Sequence, residues 1–166
     1  MVGGSTPLNG ELIISLRKMK NVNFSDRNNN QIVAEAGATL LEIQNLAFER
    51  SMIYGVDFAA RDSATIGGTI ATNAGGLNVL RYGTTRRQIV SVEAVTGTGE
   101  IIGNLNGLDK DNTGYHLPSL LCGSEGTLAI VTRAKLRLWP KPKEKISILF
   151  GLDTIQDAVN QIGRAS

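Results

Sequence analysis

Two residue types on which catalytic and metal sites often depend are nearly absent from this sequence. Cys122 is the only cysteine and His116 the only histidine among its 166 residues. An internal disulfide is therefore impossible, and these two side chains cannot by themselves form a zinc site. The segment "CGSEG" resembles a nucleophile elbow, but Cys122 stands where that motif needs glycine, and a serine hydrolase would need its histidine elsewhere.

The sequence also has little excess charge and few aromatic residues. Its formal net charge is +2, the basic residues are scattered, and 5% of the residues are Phe, Trp or Tyr. Nucleic-acid binding usually relies on a concentrated basic patch and on aromatic side chains that stack on bases. No apolar run approaches the roughly 20 residues of a membrane-spanning helix. We therefore expect neither a nucleic-acid partner nor a membrane span.

Glycine, in contrast, is abundant, with 19 in the chain. The glycines cluster at Gly3-Gly4, in the stretch "TIGGTIATNAGG" from Thr65 to Gly76, and at Gly123 and Gly126. Such residues most often permit tight turns and close backbone packing. Alternatively, the missing side chain lets backbone N–H groups approach a pyrophosphate or a flat ring. Both interpretations stay open. The sequence has no Walker loop, and "GTGEIIG" lacks the spacing of a dinucleotide fingerprint.

Strand and helix patterns alternate irregularly, which favours an α+β fold. Thr39 and Glu42 form a capping-box pattern before a helix that runs to about Arg50. Asp153 or Thr154 can cap an amphipathic helix near the end of the chain, and "GTG" indicates a hairpin. The predicted strands are Glu11–Leu16, Gln31–Ala36, Ile89–Thr96, Glu100–Ile102, an amphipathic strand through Arg133–Leu138 that stops at "WPKPKEK", and Ile146–Phe150.

Three long segments carry a resemblance to a known family. They are the opening "MVGGSTPLNGELIISLRKM", "RDSATIGGTIATNAGGLNVLRYGTTR" from Arg61 to Arg86, and "DKDNTGYHLPSLLCGSEGTLAIVT" from Asp109 to Thr132. Together they resemble the FAD-binding domain of FAD-linked 2-hydroxy-acid dehydrogenases, most closely the D-2-hydroxyglutarate dehydrogenase-like and glycolate oxidase-like members. The resemblance implies an α+β flavin domain of the vanillyl-alcohol oxidase (PCMH) type. In this type FAD lies between two α/β subdomains, of which the first is incomplete here.

The same resemblance implies which residues contact FAD. One group borders the pyrophosphate and the flavin, a second lies near the isoalloxazine ring, and a third reaches the cofactor from the other subdomain. In that order the residues are Arg61, Asp62, Ser63, Thr65, Ile66, Gly67 and Gly68; Thr72, Asn73, Ala74 and Gly75; and Gly123, Ser124, Glu125, Gly126, Thr127 and Ile130. No catalytic base and no metal site are expected in this chain.

Several residues of these segments keep a second interpretation. Ser124 and Glu125 fit a turn-capping role equally well, because Ser and Glu often satisfy local backbone donors. Arg81 and Arg86 fit solvated surface side chains better than ligands of phosphate or substrate. Ala129 replaces a glycine that is usual in the family, and its β-carbon either crowds the cofactor or is harmless.

The resemblance also implies an organisation and an activity. Residues 1–150 are expected to form a partial FAD-binding domain, and 151–166 the start of a truncated C-terminal cap domain. The complete enzyme is expected to oxidise a D-2-hydroxy acid of the D-2-hydroxyglutarate, D-lactate or glycolate class to the 2-oxo acid. It would pass a hydride to flavin N5 and electrons to a later acceptor. A homodimer in the cytoplasm, or in the mitochondrial matrix of a eukaryote, is expected.

Two alternatives stay open beside that activity. One is an inactive or degenerate flavin-binding fragment, and the other is a non-redox flavoprotein similar to alkyl-glycerone-phosphate synthase. In the family the main phosphate-binding loop would precede Met1. The isolated chain is therefore expected to bind FAD weakly, and the full-length protein tightly.

Overall fold

The computed structural model describes residues 6–25, 30–106 and 113–162. Among these residues the strands are β1 (Val22–Phe24), β2 (Gln31–Glu35), β3 (Met52–Tyr54), β4 (Ile89–Thr96), β5 (Ile101–Gly103) and β6 (Ala129–Pro140). The helices are α1 (Leu40–Glu49), α2 (Ile66–Ala71), α3 (Val79–Tyr82), α4 (Thr85–Gln88), α5 (Leu117–Leu121) and α6 (Ile155–Ile162). The α+β fold class predicted from the sequence is confirmed.

The strands pair antiparallel in the order β1-β2-β6-β4-β5, and β3 pairs with the far end of β6. β6 is therefore the central strand, with Leu136 opposite Ile32 on one side and opposite Ile89 on the other. The prediction of one exposed face on this strand holds only in part. Lys135 is 9% exposed, because its neighbours β2 and β4 both flank it in the centre of the sheet.

The helix α1 begins as its capping-box pattern predicts. Thr39 Oγ1 accepts a hydrogen bond from Glu42 N at 3.2 Å, and Glu42 Oε2 accepts one from Thr39 N at 2.7 Å. An N-cap of this kind stabilises a helix by about 1 kcal/mol. Leu40 and Ile43 on the inner face are fully buried. Together with residues of β2, β4, β6 and α2 they form the hydrophobic core.

Two predicted strands are wrong. Residues 11–16 and 146–150 form no strand, and Leu12 and Leu149 are 86% and 99% exposed. An apolar run becomes a strand only when another strand pairs with it, and no described strand pairs with either segment. The short strands β1 and β3 and the short helices α2 to α5 were not predicted, and α2 lies inside the glycine-rich stretch.

The predicted hairpin and the predicted last helix are confirmed. Thr96 N donates to Glu100 O at 3.0 Å across the β4–β5 turn, and the second strand is Ile101–Gly103. α6 follows Thr154, whose Oγ1 accepts from Asp157 N at 3.2 Å. No described helix is both long and apolar enough to cross a membrane.

Candidate functional site

The first half of the glycine-rich stretch forms the short helix α2, and its amides are already used. Ile66 N donates to Ala38 O and Gly67 N to Ala36 O, both at 2.8 Å, and Gly68 N donates to the capping Oγ1 of Thr65 at 3.3 Å. Because these donors have acceptors inside the chain, they are not free for a ligand in this conformation. Ile66 is also fully buried, so its side chain belongs to the core.

Two glycines of this stretch serve close packing. A β-carbon on Gly67 would lie 2.8 Å from Ala36 Cβ. One on Gly76, at a φ of +148°, would lie 2.0 Å from the carbonyl oxygen of Asp57. For Gly67 and Gly76 the common interpretation, in which glycine allows two backbones to meet, therefore applies.

The turn after α2 is held by its own side chains and by α4. Thr72 Oγ1 donates to Gly68 O at 2.9 Å. Asn73 adopts a left-handed conformation with a φ of 47°, and its Oδ1 accepts from Arg86 N at 3.1 Å. The carbonyl of Ala74 accepts from both the N–H and the hydroxyl of Thr85. The turn therefore presents a fixed backbone next to Gly75.

The second predicted segment, Gly123–Thr127, packs directly against α2. Gly123 N donates to Ile70 O at 2.9 Å, and Glu125 N donates to Ala71 O at 2.8 Å. Gly123, Glu125 and Gly126 all have positive φ values. The structure therefore brings together two segments that are distant in the sequence, as the predicted site requires.

The remaining predicted residues lie around this junction. Arg61 pairs with Asp57 at 3.4 Å, and Ser63 Oγ donates to Ala60 O at 3.3 Å. Asp62 is exposed next to them. Ile130 is half-buried in β6, where it pairs with Val95 of β4.

The residues with two interpretations are resolved in different ways. Thr127 bonds to Ser124 through the backbone carbonyl of Ser124, and the side chains of Ser124 and Glu125 make no described cap. Ala129 is 5% exposed within the core, so its β-carbon points away from the open surface of the turn. Arg81 and Arg86 are both exposed, as expected of surface side chains. The guanidinium of Arg86 also donates to the carbonyl oxygens of Ser119 and Cys122, which was not expected.

Two features near the site were not predicted from the sequence. They are the contact of Cys122 with Asn73 and the role of His116 as the cap of α5. Cys122 Sγ lies 3.6 Å from Asn73 Oδ1. Burial raises the pKa of the Cys122 thiol, an effect that the nearby Arg86 opposes. His116 Nδ1 accepts from Ser119 N at 3.3 Å at the start of α5. Residues 110–112, which resemble a family loop near the domain interface, lie outside the described residues.

The open face of the junction fits a flat, anionic ligand such as FAD. A β-carbon on Gly68 would meet only Thr65 Oγ1, at 3.3 Å, and one on Gly126 would meet nothing within 4 Å. Within the described ranges, the amides of Gly75 and Gly126 have no hydrogen-bond acceptor. Unshielded amides beside small residues are the groups that hold pyrophosphates and flavin rings. The residues present therefore fit the group.

A cavity of about 550 Å³ lies next to this surface. Asp57, which packs against Gly76, is one of its lining residues, and Phe48, Tyr82 and Lys141 line it from other elements. None of the residues predicted to contact FAD lines it. In the described parts of the chain, no group of three His, Cys, Asp or Glu side chains is arranged to hold a metal ion.

Curated relatives match almost the whole chain. A D-2-hydroxyglutarate dehydrogenase of Xanthomonas citri pv. viticola is 43% identical over 163 residues, which are 96% of this chain and 34% of the relative. A D-lactate dehydrogenase of Archaeoglobus fulgidus is 39% identical over 95% of this chain and 35% of its own length. A mitochondrial D-2-hydroxyglutarate dehydrogenase of Bos taurus is 43% identical over 86% of this chain and 26% of its own length. The chain thus spans about a third or less of these relatives.

Solved structures and a family profile agree with these relatives. A structure of alkyldihydroxyacetonephosphate synthase superimposes with a TM-score of 0.66 at 26% identity, covering 77% of this chain and 23% of that one. A second crystal form of a protein with this name gives a TM-score of 0.65. The profile of the FAD binding domain family matches residues 1–103. The chain therefore belongs to the FAD binding domain family.

Proposed function

We propose that this chain is the FAD-binding part of a flavoprotein dehydrogenase that oxidises a D-2-hydroxy acid to the corresponding 2-oxo acid. The observation that carries the proposal is the similarity to D-2-hydroxyglutarate and D-lactate dehydrogenases, at 43% and 39% identity over at least 95% of the chain. D-2-hydroxyglutarate, D-lactate and glycolate are the proposed substrate class.

When bound, FAD supplies the hydride acceptor of this reaction, and the protein supplies position and local field. We propose that the accessible members of the predicted set hold it: Ser63 before α2, Gly68 within it, Gly75 after it, and Gly123–Thr127 opposite. The free amides of Gly75 and Gly126 suit an anionic pyrophosphate or a ring carbonyl. Each such charge-assisted hydrogen bond contributes about 1.5–3 kcal/mol.

Small side chains have a second task in this proposal. Ala74, Gly68, Gly75 and Gly126 leave the backbone accessible, while Thr65, Thr72 and Asn73 are engaged in fixing its shape. A backbone that is held in place before the ligand arrives loses less conformational freedom on binding. The chain contributes binding and orientation, and the proton-accepting group is proposed to lie outside it.

The direct test uses the full-length protein. We expect it to purify with FAD, and we expect the flavin absorbance to bleach under anaerobic conditions when D-2-hydroxyglutarate, D-lactate or glycolate is added. The L-enantiomers of the two chiral acids serve as matched controls and are expected to leave the flavin oxidised. A protein that binds FAD but is reduced by none of these acids would contradict the substrate class, and one that binds no FAD would contradict the whole proposal.

The second candidate is a non-redox flavoprotein similar to alkyl-glycerone-phosphate synthase. The observation in its favour is the superposition on the synthase structure, with a TM-score of 0.66. The higher identity to the dehydrogenases favours the first candidate. Formation of an alkyl-dihydroxyacetone phosphate, without any flavin bleaching by hydroxy acids, would establish the second. Failure of both assays with a protein that holds FAD would favour the inactive fragment.

We also propose a domain boundary near Gly151. The buried hydrophobic residues lie between Ile32 and Leu138, whereas α6 has no buried residue. Residues 1–150 would thus form the FAD-binding part, and 151–166 would begin the cap domain. Limited proteolysis of the full-length protein checks this, because we expect early cleavage between Lys141 and Asp153.

The electron acceptor, the assembly and the compartment belong to the same proposal. We propose a separate acceptor that reoxidises the flavin, a homodimer, and a cytoplasmic location or, in a eukaryote, the mitochondrial matrix. The mitochondrial name of the Bos taurus relative supports the last point. Light scattering of the full-length protein and fractionation of its host cells test the assembly and the compartment.

A further inference from the structure

One residue, Arg86, contacts both segments of the candidate site, through its backbone on one side and its side chain on the other. Arg86, in α4, donates its backbone N–H to Asn73 Oδ1 at 3.1 Å, in the turn that follows α2. Its guanidinium donates to the carbonyl oxygens of Ser119 and Cys122, in and just after α5. Gly123 comes directly after the second of these carbonyls. A single arginine thus links the side chain of Asn73, after α2, to the backbone just before Gly123.

We infer that Arg86 is a positioning residue for FAD, an inference that rests on the proposed flavin function. The backbone bonds from Gly123 to Ile70 and from Glu125 to Ala71, at 2.9 and 2.8 Å, form only if the end of α5 stays against α2. The guanidinium holds that end through two carbonyls at once. A planar fork of donors does this, whereas the single ammonium of lysine is a point charge on a flexible stem.

The packing at Gly123 agrees with this role. A β-carbon on Gly123 would lie 3.3 Å from Nη2 of Arg86 and 3.4 Å from Cβ of Asn73. Cys122 Sγ approaches Asn73 Oδ1 at 3.6 Å on the same side. Arg86 and Asn73 therefore both lie beside Gly123, on the side where a β-carbon would point.

The charge of Arg86 is a second reason to infer that it supports FAD binding. In the described parts of the chain, Arg61 pairs with Asp57 and Arg133 with Glu93, whereas no carboxylate partner of the Arg86 guanidinium is described. Its side-chain partners are neutral carbonyl oxygens, so an exposed positive charge lies beside Gly123. A positive potential at this point favours a pyrophosphate over a neutral ligand.

The test compares Arg86→Gln, Arg86→Lys and Arg87→Gln in the full-length protein. Arg87 is the matched control, because it is the next residue of the same short helix and is exposed like Arg86, and no hydrogen bond or ion pair of its guanidinium is described. Three quantities are measured: the dissociation constant for FAD by flavin fluorescence, the melting temperature without FAD, and the visible circular dichroism of bound flavin at saturating FAD.

We expect Arg86→Gln to weaken FAD binding at least tenfold and to change the flavin circular dichroism, because the two segments no longer hold one geometry. Arg86→Lys keeps the positive charge but loses the planar set of guanidinium donors. We therefore expect a smaller loss of FAD affinity with the same change in the flavin spectrum. Arg87→Gln is expected to match the wild type in both. A role limited to stability would lower the melting temperature and leave the flavin spectrum unchanged.

Equal FAD affinity and equal flavin spectra for Arg86→Gln and Arg87→Gln would overturn the inference while leaving the proposed function intact. If Arg86→Gln fails to fold, Arg86→Lys decides, and a wild-type affinity and spectrum for that variant overturn the inference. A wild-type protein that binds no FAD overturns the proposed function and this inference together.

Discussion

Two kinds of glycine stand side by side in the stretch from Thr65 to Gly76. Gly67 and Gly76 face other parts of the chain at distances that leave no room for a β-carbon. Gly68 is exposed, and a β-carbon there would meet only its own helix cap. The same contrast separates Gly76 from Gly126, where the space is open. A glycine-rich motif therefore combines residues needed for folding with residues that leave the backbone open to a ligand.

The largest effect on stability is expected from Gly76→Ala. Its φ of +148° disfavours any side chain, and the new β-carbon would lie 2.0 Å from the backbone oxygen of Asp57, which cannot rotate away. We expect the free energy of unfolding to fall by about 3 kcal/mol or more, measured as a lower midpoint in urea. Gly97→Ala is the control, because nothing lies within 4 Å of its β-carbon position. Equal midpoints for the two variants would remove the distinction between packed and open glycines.

Gly67→Ala is expected to lower the free energy of unfolding less than Gly76→Ala does. The clash at 2.8 Å is with the β-carbon of Ala36, so a second substitution, Ala36→Gly, removes it. We expect the single variant to lose about 2 kcal/mol of unfolding free energy. In the double variant the two costs are expected to be less than additive by about 1 kcal/mol. Strict additivity in the urea measurement would show that the contact does not explain why glycine is needed.

Gly126→Ala tests the second kind of glycine, which leaves the backbone open to a ligand. Its φ of +78° makes alanine unfavourable by about 1 kcal/mol, and its β-carbon would shield an open amide from FAD. Gly114→Ala is the matched control, because Gly114 has a φ of +66° and equally open space but lies outside the site. We expect similar losses of stability in the full-length protein and about tenfold weaker FAD binding only for Gly126→Ala. Equal affinities, measured by flavin fluorescence, would contradict its place in the site.

Gly68→Ala is expected to have the smallest effect on stability. Alanine favours a helix over glycine by about 1 kcal/mol, which offsets the tight contact with Thr65 Oγ1 at 3.3 Å. We expect unfolding free energies within about 0.5 kcal/mol of each other and weaker binding of FAD. A variant that loses stability as Gly67→Ala does, with unchanged FAD binding, would place Gly68 among the packing glycines.

The parts of the fold that were predicted correctly are those determined by residues close together in the sequence. The box of Thr39 and Glu42 and the turn at Gly97–Gly99 are local signals, and both appear in the structure. The helix α2 was missed because its two glycines lower helix propensity. It exists because Thr65 caps it and because Ile66 and Ile70 are buried in the core.

The candidate site, like the fold, could be predicted from the sequence only in part. The glycine segments were identified through the family resemblance; they pack against each other, and their contact with FAD stays a prediction. The role of Arg86 was not predictable, because its partners Asn73, Ser119 and Cys122 are remote in the sequence and two of them take part through backbone carbonyls. Ile66 was assigned to the cofactor by position in the motif, whereas its side chain is needed inside the core.

The central place of β6 has a consequence for how the protein is made. Among the described residues β6 follows every other strand in sequence, yet it is the strand that joins β2 to β4. A nascent chain on the ribosome that has not reached Ala129 therefore exposes the unpaired edges of both strands, which invites association with other chains. Folding to the finished sheet has to wait until nearly the whole segment has been synthesised.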